Sequence, residues 1–252
     1  MMIEFIGSTG AGKTTLIAAV QRRLAQTVAV TTSFDLVAAP LSLGAVTHPT
    51  AKNLIQELLG WPFFVQSLPR RQALIIFILK MLARQAKFTL STISNLRSLE
   101  RKLGIYELIR RYERDRVIMV DEGTVLLAHN IFVFTNARYT PEEIAKFATL
   151  IPLPDVVVYV KAPVDSLVKR SLQRTDRRRE LEAIGQAQLE KYIKRAVNLF
   201  EQLIQAENIR RRVLIVENPE SADKLGHPAV DCITNYILNY VDHHSSPYYR
   251  TQ

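Results

Sequence analysis

An α/β domain built on a parallel sheet is the fold class this sequence predicts, and three observations predict it. The first is a mostly apolar run, Met2–Ile6, that leads into Gly7-Ser8-Thr9-Gly10-Ala11-Gly12-Lys13-Thr14-Thr15. This matches the pattern Gly-x-x-x-x-Gly-Lys-Ser/Thr, a phosphate-binding loop between a strand and a helix. The second is a set of uninterrupted apolar runs, Val117–Val120, Val156–Val160 and Val213–Val216. Such runs suit strands covered on both faces of a parallel sheet. The third is helical spacing of apolar residues between those runs, as at Leu16, Ile17, Val20 and Leu24. Alternation of the two periods is the mark of an α/β fold.

The loop carries chemistry in its residue types. Its glycines let the backbone curl so that successive N–H groups face phosphate oxygens. The helix that follows offers its N-terminal amides and the positive end of its dipole to the same anion. Lys13 is expected to reach the β- and γ-phosphates and the Thr14 hydroxyl to ligate Mg²⁺. Thr15 is assigned to the α-phosphate or to the helix start. The nucleotide site therefore comprises Gly7, Ser8, Thr9, Gly10, Ala11, Gly12, Lys13, Thr14 and Thr15.

The remaining elements follow in order. A helix is expected from Lys13 to about Gln26, then a strand over Val28–Phe34, rich in β-branched residues and ending at Asp35. Ligands of open parallel sheets bind beyond the carboxyl ends of the strands, which makes Asp35 a candidate. From about Pro40 to Arg116 no strand is evident. Several helices, broken at Pro40, Pro49, Gly60-Trp61-Pro62, Pro69 and Gly104, form an insert over about residues 40–115. It is expected to wall an acceptor site, with Trp61, Arg70, Arg71, Arg97, Tyr106 and Arg110 as candidates. Within it, Gln72–Arg84 reads as a buried helix.

Arg116–Val120 reads as a strand ending in Asp121-Glu122-Gly123, and an aspartate there serves Mg²⁺ in phosphate-loop proteins. Thr124–Ala137 reads as a buried helix or helix plus turn, with His129 a core histidine. Thr140 caps a helix with Pro141 at its first position, and Arg138 before it is a candidate contact for an acceptor anion. A strand over Pro154–Val160 leads to Pro163 and a helix from Val164. Arg170, Arg174, Arg177 and Arg178 then share a helical face. The arginine fork binds phosphate oxygens bidentately, so residues 170–186 are read as a lid. An amphipathic helix at Leu189–Gln205, a fifth strand from Arg212 to Val216, its exit at Glu217-Asn218-Pro219 and a last helix from Ser221 to about Tyr240 complete one domain, residues 1–242. Residues 243–252 read as a loose tail.

Composition sets bounds. At 252 residues, 48% apolar and 23% charged, the chain can bury a sizeable core. The lone Cys232 excludes an intrachain disulfide and fits a reducing, cytoplasmic setting. No secretory signal opens the sequence and no uncharged run approaches the roughly 20 residues of a membrane span. A net charge of +9 suits anionic partners, yet no nucleic-acid-binding motif is present.

These landmarks together resemble the P-loop kinases of the nucleoside and nucleotide kinase group, especially thymidylate kinases and deoxynucleoside kinases. The resemblance rests on Gly7–Thr15, Asp121, Pro154–Val160 with Pro163, the arginines from Arg170 onward, and Val213–Val216. It implies the P-loop NTPase three-layer sandwich, a five-stranded parallel sheet in order 2-3-1-4-5. It implies ATP and Mg²⁺, a lid in which Arg170, Arg174 and Arg177 cover the phosphates, Asn218 near the adenine, and a homodimer. The chain departs from the group in two places. No proline follows Asp35, and Asp121 is followed by Glu122 where the group carries an acceptor-binding arginine. The missing arginine weighs against a thymidine-like nucleotide as acceptor and leaves a different small alcohol or phosphate, a sugar or a lipid precursor open. The expected activity is phosphoryl transfer, with Thr14 and Asp121 at the metal and Asp35 or Glu122 at the acceptor hydroxyl. The alternative is an ATPase acting on a protein partner, in which Glu122 polarises water.

Overall fold

The computed structural model describes residues 1–41, 46, 48–84, 90–112, 115–134, 139–174, 185–218 and 227–244. Strand β1 (Met2–Ile6) is buried throughout and lies at the centre of a five-stranded, all-parallel sheet. The order is β2-β3-β1-β4-β5, the expected 2-3-1-4-5, with β2 Val30–Thr32, β3 Val117–Val120, β4 Val156–Lys161 and β5 Val213–Glu217. Register aligns Glu4 with Val120 of β3 and Val157 of β4. This is the P-loop NTPase fold.

Helices cover both faces. On one lie α1 (Lys13–Leu24), α6 (Val164–Gln173), the start of α7 (Gln186–Leu203) and α9 (Pro228–His244). They bury Leu16, Val20, Leu167 and Ile233 against Phe5 and Val158. On the other face Phe77, Phe132, Phe147 and Phe200 form a core with Tyr159. Phe132 meets Phe147 edge to face with ring centroids 5.6 Å apart. Each such side chain contributes about 1.5–3 kcal/mol by burial. The short helices α2 (Ser33–Ala38) and α8 (Glu207–Arg210) complete the layers with α5 (Pro141–Leu150), whose start has the expected Thr140 cap, closed by Glu143 into a capping box.

The insert differs from expectation. α3 (Pro49–Ala83) is one 35-residue helix that runs through Gly60, Pro62 and Pro69, and α4 (Leu90–Tyr112) runs through Gly104. A proline removes one backbone donor and crowds the preceding turn. Here the two long helices pack along each other, with Gly60 against Gly104, and that tertiary contact outweighs the local cost. The expected strand over Val28–Phe34 also shortens. Thr32 accepts a hydrogen bond from the Asp35 amide at 3.1 Å and so caps α2, which ends β2. Thr124–Ala137 contains a π-helical turn, His129–Val133. α9 takes in His243 and His244, the start of the expected tail.

Candidate active site

The loop after β1 has the conformation its glycines permit. Gly10 and Gly12 have φ of 81° and 86°, in the left-handed region, and a Cβ on Gly12 would lie 2.5 Å from the Asn218 amide nitrogen. Lys13 Nζ donates to the carbonyls of Gly7 at 3.0 Å and Ser8 at 3.3 Å. The Thr14 hydroxyl donates to Asp121 Oδ2 at 2.9 Å, which joins the first turn of α1 to the exit of β3. These two oxygen-bearing side chains form a donor set suited to a hard cation such as Mg²⁺. Thr9 and Lys13 line the cavity described below, while Ser8 and Ala11 are buried beneath the loop. Thr15 is exposed on the first turn of α1.

The loop is braced from behind. Asn218, 0% exposed, donates from its side-chain amide to the Ala11 carbonyl at 2.7 Å. Its own carbonyl accepts from both terminal nitrogens of Arg170, at 3.1 and 3.2 Å, and Arg170 also reaches the Gly10 carbonyl at 3.3 Å. Arg170 and Asn218, assigned from sequence to lid and base, thus hold the shape of the phosphate loop through its carbonyls. Arg174 follows the end of α6 and lines the cavity with Ser171. Arg138, Arg177, Arg178 and Pro219 lie outside the described residues.

From Lys13 and Thr14 a cavity of about 710 Å³ extends to the walls made by α3, α4 and the π-helical turn. That volume falls in the usual range for small-molecule sites. Four of its charged groups are paired. Glu57 of α3 accepts from Arg97 at 2.6 and 3.2 Å. Glu122 accepts from Arg101 at 3.1 Å, with Lys102 Nζ 4.0 Å away. Between the charges stand neutral hydrogen-bonding groups, including Asn53, Asn95, Ser98 and Asn130, with Asn130 donating to Ser98 at 2.8 Å. His129 also reaches this wall. It is buried, shares a hydrogen bond with Tyr192 at 3.3 Å, and stacks on Phe200.

Asp121 and Glu122 are brought together with Lys13 and Thr14, but Asp35 is not. Its carboxylate accepts from the Thr32 hydroxyl at 2.7 Å, and it is absent from the described residues that line the cavity. Of the insert candidates, Arg97 lines the cavity. Arg70 and Arg71 pair with Glu107, Tyr106 bonds the Leu153 carbonyl, Arg110 pairs with Asp155, and Trp61 faces outward at 55% exposure.

Sequence reasoning missed Glu4. Its carboxylate accepts from the amides of Val125 at 3.1 Å and Leu126 at 2.8 Å, and so anchors the segment that leads to His129 and Asn130. A Cβ on Gly123 would fall on that carboxylate. Burial pushes Glu4 up to about 7, against the lowering effect of those amides and of Lys102. Glu100 on α4 is also pushed up to about 7, by burial first and by repulsion from Glu57 second. A cavity of about 20 Å³, room for one water, separates Glu4 from Arg101 and Glu122. An acid at the middle of an otherwise apolar strand was the available signal.

No family model matches the chain and no curated protein matches it in sequence. Among solved structures it is similar to shikimate kinase from Bacteroides thetaiotaomicron, with TM-score 0.44 and 14% identity over 96% of this chain and 98% of that one. It is similar to deoxyadenosine kinase from M. mycoides, with TM-score 0.45 and 16% identity over 97% and 100% of the two chains. Shikimate kinase from Acinetobacter baumannii matches with TM-score 0.41 and 14% identity, over 97% and 94%.

Proposed function

We propose that the chain is a small-molecule kinase, which moves the γ-phosphoryl group of ATP to a hydroxyl of an acceptor held in the 710 Å³ cavity. The observation that carries this reading is the continuity of that cavity with Lys13, Thr14 and Asp121. A hydrolase acting on a protein partner has no use for a second site of this size beside its phosphate loop.

The phosphates of ATP lie on the amides of Gly10–Thr15, and Lys13 exchanges its carbonyl partners for β- and γ-phosphate oxygens, with which its charge forms stronger bonds. Thr14 and Asp121 would hold Mg²⁺, which when bound neutralises charge on the phosphate oxygens. The acceptor oxygen attacks the γ-phosphorus, the bond from that phosphorus to the β–γ bridging oxygen breaks, and ADP leaves. Glu122 takes the hydroxyl proton. Arg101 holds the Glu122 carboxylate at the cavity wall. Arg174 stands at the cavity edge where charge spreads over the transferring group. Positioning and electrostatics supply most of the acceleration in this chemistry, so this short list suffices.

ADP release measured with a panel of nucleosides, sugars and sugar phosphates tests the reading. Release that rises at least tenfold with one class of acceptor supports it. Turnover that is indifferent to every acceptor and lost in Glu122→Gln supports hydrolysis instead.

A further inference from the structure

The acceptor end of the cavity has hydrogen-bonding capacity that the described residues leave unused. Both bonds from Arg97 go to Glu57 Oε2, at 2.6 and 3.2 Å, and no described donor bonds Glu57 Oε1. Asn130 and Ser98 are buried, at 5% and 9% exposure, yet both line the cavity. The Asn130 amide nitrogen donates to the Ser98 hydroxyl at 2.8 Å. That bond leaves the Asn130 amide oxygen as an acceptor and the Ser98 proton as a donor. Asn95 lines the cavity as well, and its amide nitrogen is shielded from solvent with no partner among the described residues. A polar group withheld from water without a partner is unfavourable, and a ligand that bonds it relieves the penalty.

The chemistry of these atoms selects the ligand. Glu57 Oε1 and the Asn130 oxygen call for donors, which ionised phosphates and carboxylates lack. The Ser98 proton and the Asn95 nitrogen call for acceptors. A hydroxyl is both at once. Charge agrees: Glu57 is matched by Arg97 at 2.6 Å and Glu122 by Arg101 at 3.1 Å, so these pairs offer a ligand of either sign no net attraction. Ring surface agrees too. Among the described residues that line the cavity only His129 carries a ring, and that ring is stacked on Phe200 with centroids 5.9 Å apart. A nucleobase has flat faces that are best covered by aromatic planes. The described apolar side chains of this cavity are Leu54 and Leu126.

We infer that the acceptor is an uncharged polyhydroxylated molecule of the sugar or cyclitol class, whose hydroxyls bond Glu57 Oε1, the Asn130–Ser98 pair and Asn95. The inference rests on the kinase reading above and narrows its acceptor to one chemical class. One hydroxyl gives its proton to Glu122 while its oxygen forms a bond to the γ-phosphorus of ATP. The bond from that phosphorus to the β–γ bridging oxygen breaks, and the products are a polyol phosphomonoester and ADP. Glu57 and Asn130 take no part in the proton transfer. They decide which hydroxyl stands beside Glu122, so their loss acts on the KM of the acceptor.

Rates of phosphomonoester formation by the full chain with ATP and Mg²⁺ test this. The probes are neutral polyols (hexoses, pentoses, ribitol and myo-inositol), nucleosides and hexose phosphates. A neutral polyol is expected to be used with kcat/KM at least tenfold above every nucleoside and hexose phosphate. At least one of its monodeoxy analogues should lose tenfold or more, because a site built to bond a hydroxyl rejects a ligand that lacks it. Glu57→Gln keeps the volume and removes the charged acceptor. It is expected to raise KM for the polyol at least tenfold with KM for ATP within twofold of the parent. Asn130→Leu is expected to do the same. Asn130 is buried, so Glu57→Gln, at a partly exposed position, decides the question if Asn130→Leu does not fold. A nucleoside or a hexose phosphate as the best acceptor overturns the inference and leaves the kinase reading standing. An unchanged KM for the polyol in Glu57→Gln overturns it too. So does the lack of a phosphomonoester from every class, and inorganic phosphate formed in step with ADP then removes the kinase reading as well.

Discussion

The phosphate end and the acceptor end of this cavity are built by different means. The phosphate end is made of backbone, one contiguous loop between β1 and α1 whose carbonyls are held by Arg170 and Asn218. The acceptor end is made of side chains from α3, α4 and the turn after β3, paired across long sequence distances as Glu57–Arg97 and Arg101–Glu122. A backbone site tolerates little change of conformation, and the distant residues that brace it act by holding that conformation. A side-chain site can be re-specified one residue at a time, because each wall position is a separate choice.

Substitutions should separate the two ends. Lys13→Ala removes the cation at the phosphates and is expected to lower acceptor-dependent ADP release by about 10³-fold and to weaken ATP binding. Glu122→Gln is expected to lower kcat by about 10²-fold with ATP affinity within twofold of the parent, as calorimetric titration would report. A matched loss of ATP affinity would erase the distinction between the ends. Gly12→Ala forces a Cβ into the left-handed region against Asn218. It should cost about 2 kcal/mol by chemical denaturation and weaken ATP binding while leaving affinity for the acceptor.

A further effect is a pH slope. The folded-state pKa of Glu4 lies above its ordinary 4.5, at about 7, so the native state holds a proton that the unfolded chain has released between those values. Stability therefore falls as pH rises from 4.5 through 7, by roughly 3 kcal/mol at most. Glu4→Gln should flatten that part of a thermal-melting profile taken from pH 4.5 to 8. Glu100, raised to about 7 as well, leaves a residual slope. An unchanged profile would mean that Glu4 is ionised at its buried site.

The same contrast explains what was legible in the sequence. The parallel sheet and the Lys13–Thr14–Asp121 cluster follow from a loop motif and from buried strands whose signals are local, whereas the strand order came only with the resemblance. The continuity of α3 through Pro62 and Pro69 was not legible, because packing on α4 decides it and no window of sequence contains both helices. Asp35 was read as a strand end, yet the Thr32 cap turns it into the first turn of α2. Arg101 and Glu4 went unread because each acts through a residue far along the chain, Glu122 for the first and Val125 and Leu126 for the second.

The most direct test of the account is ³¹P NMR of the products formed from ATP and Mg²⁺ in the presence of a mixed pool of alcohols. The account predicts a phosphomonoester resonance that grows in step with ADP, little inorganic phosphate, and loss of that resonance in Glu122→Gln. Inorganic phosphate formed in step with ADP, with no phosphomonoester from any acceptor, would contradict it.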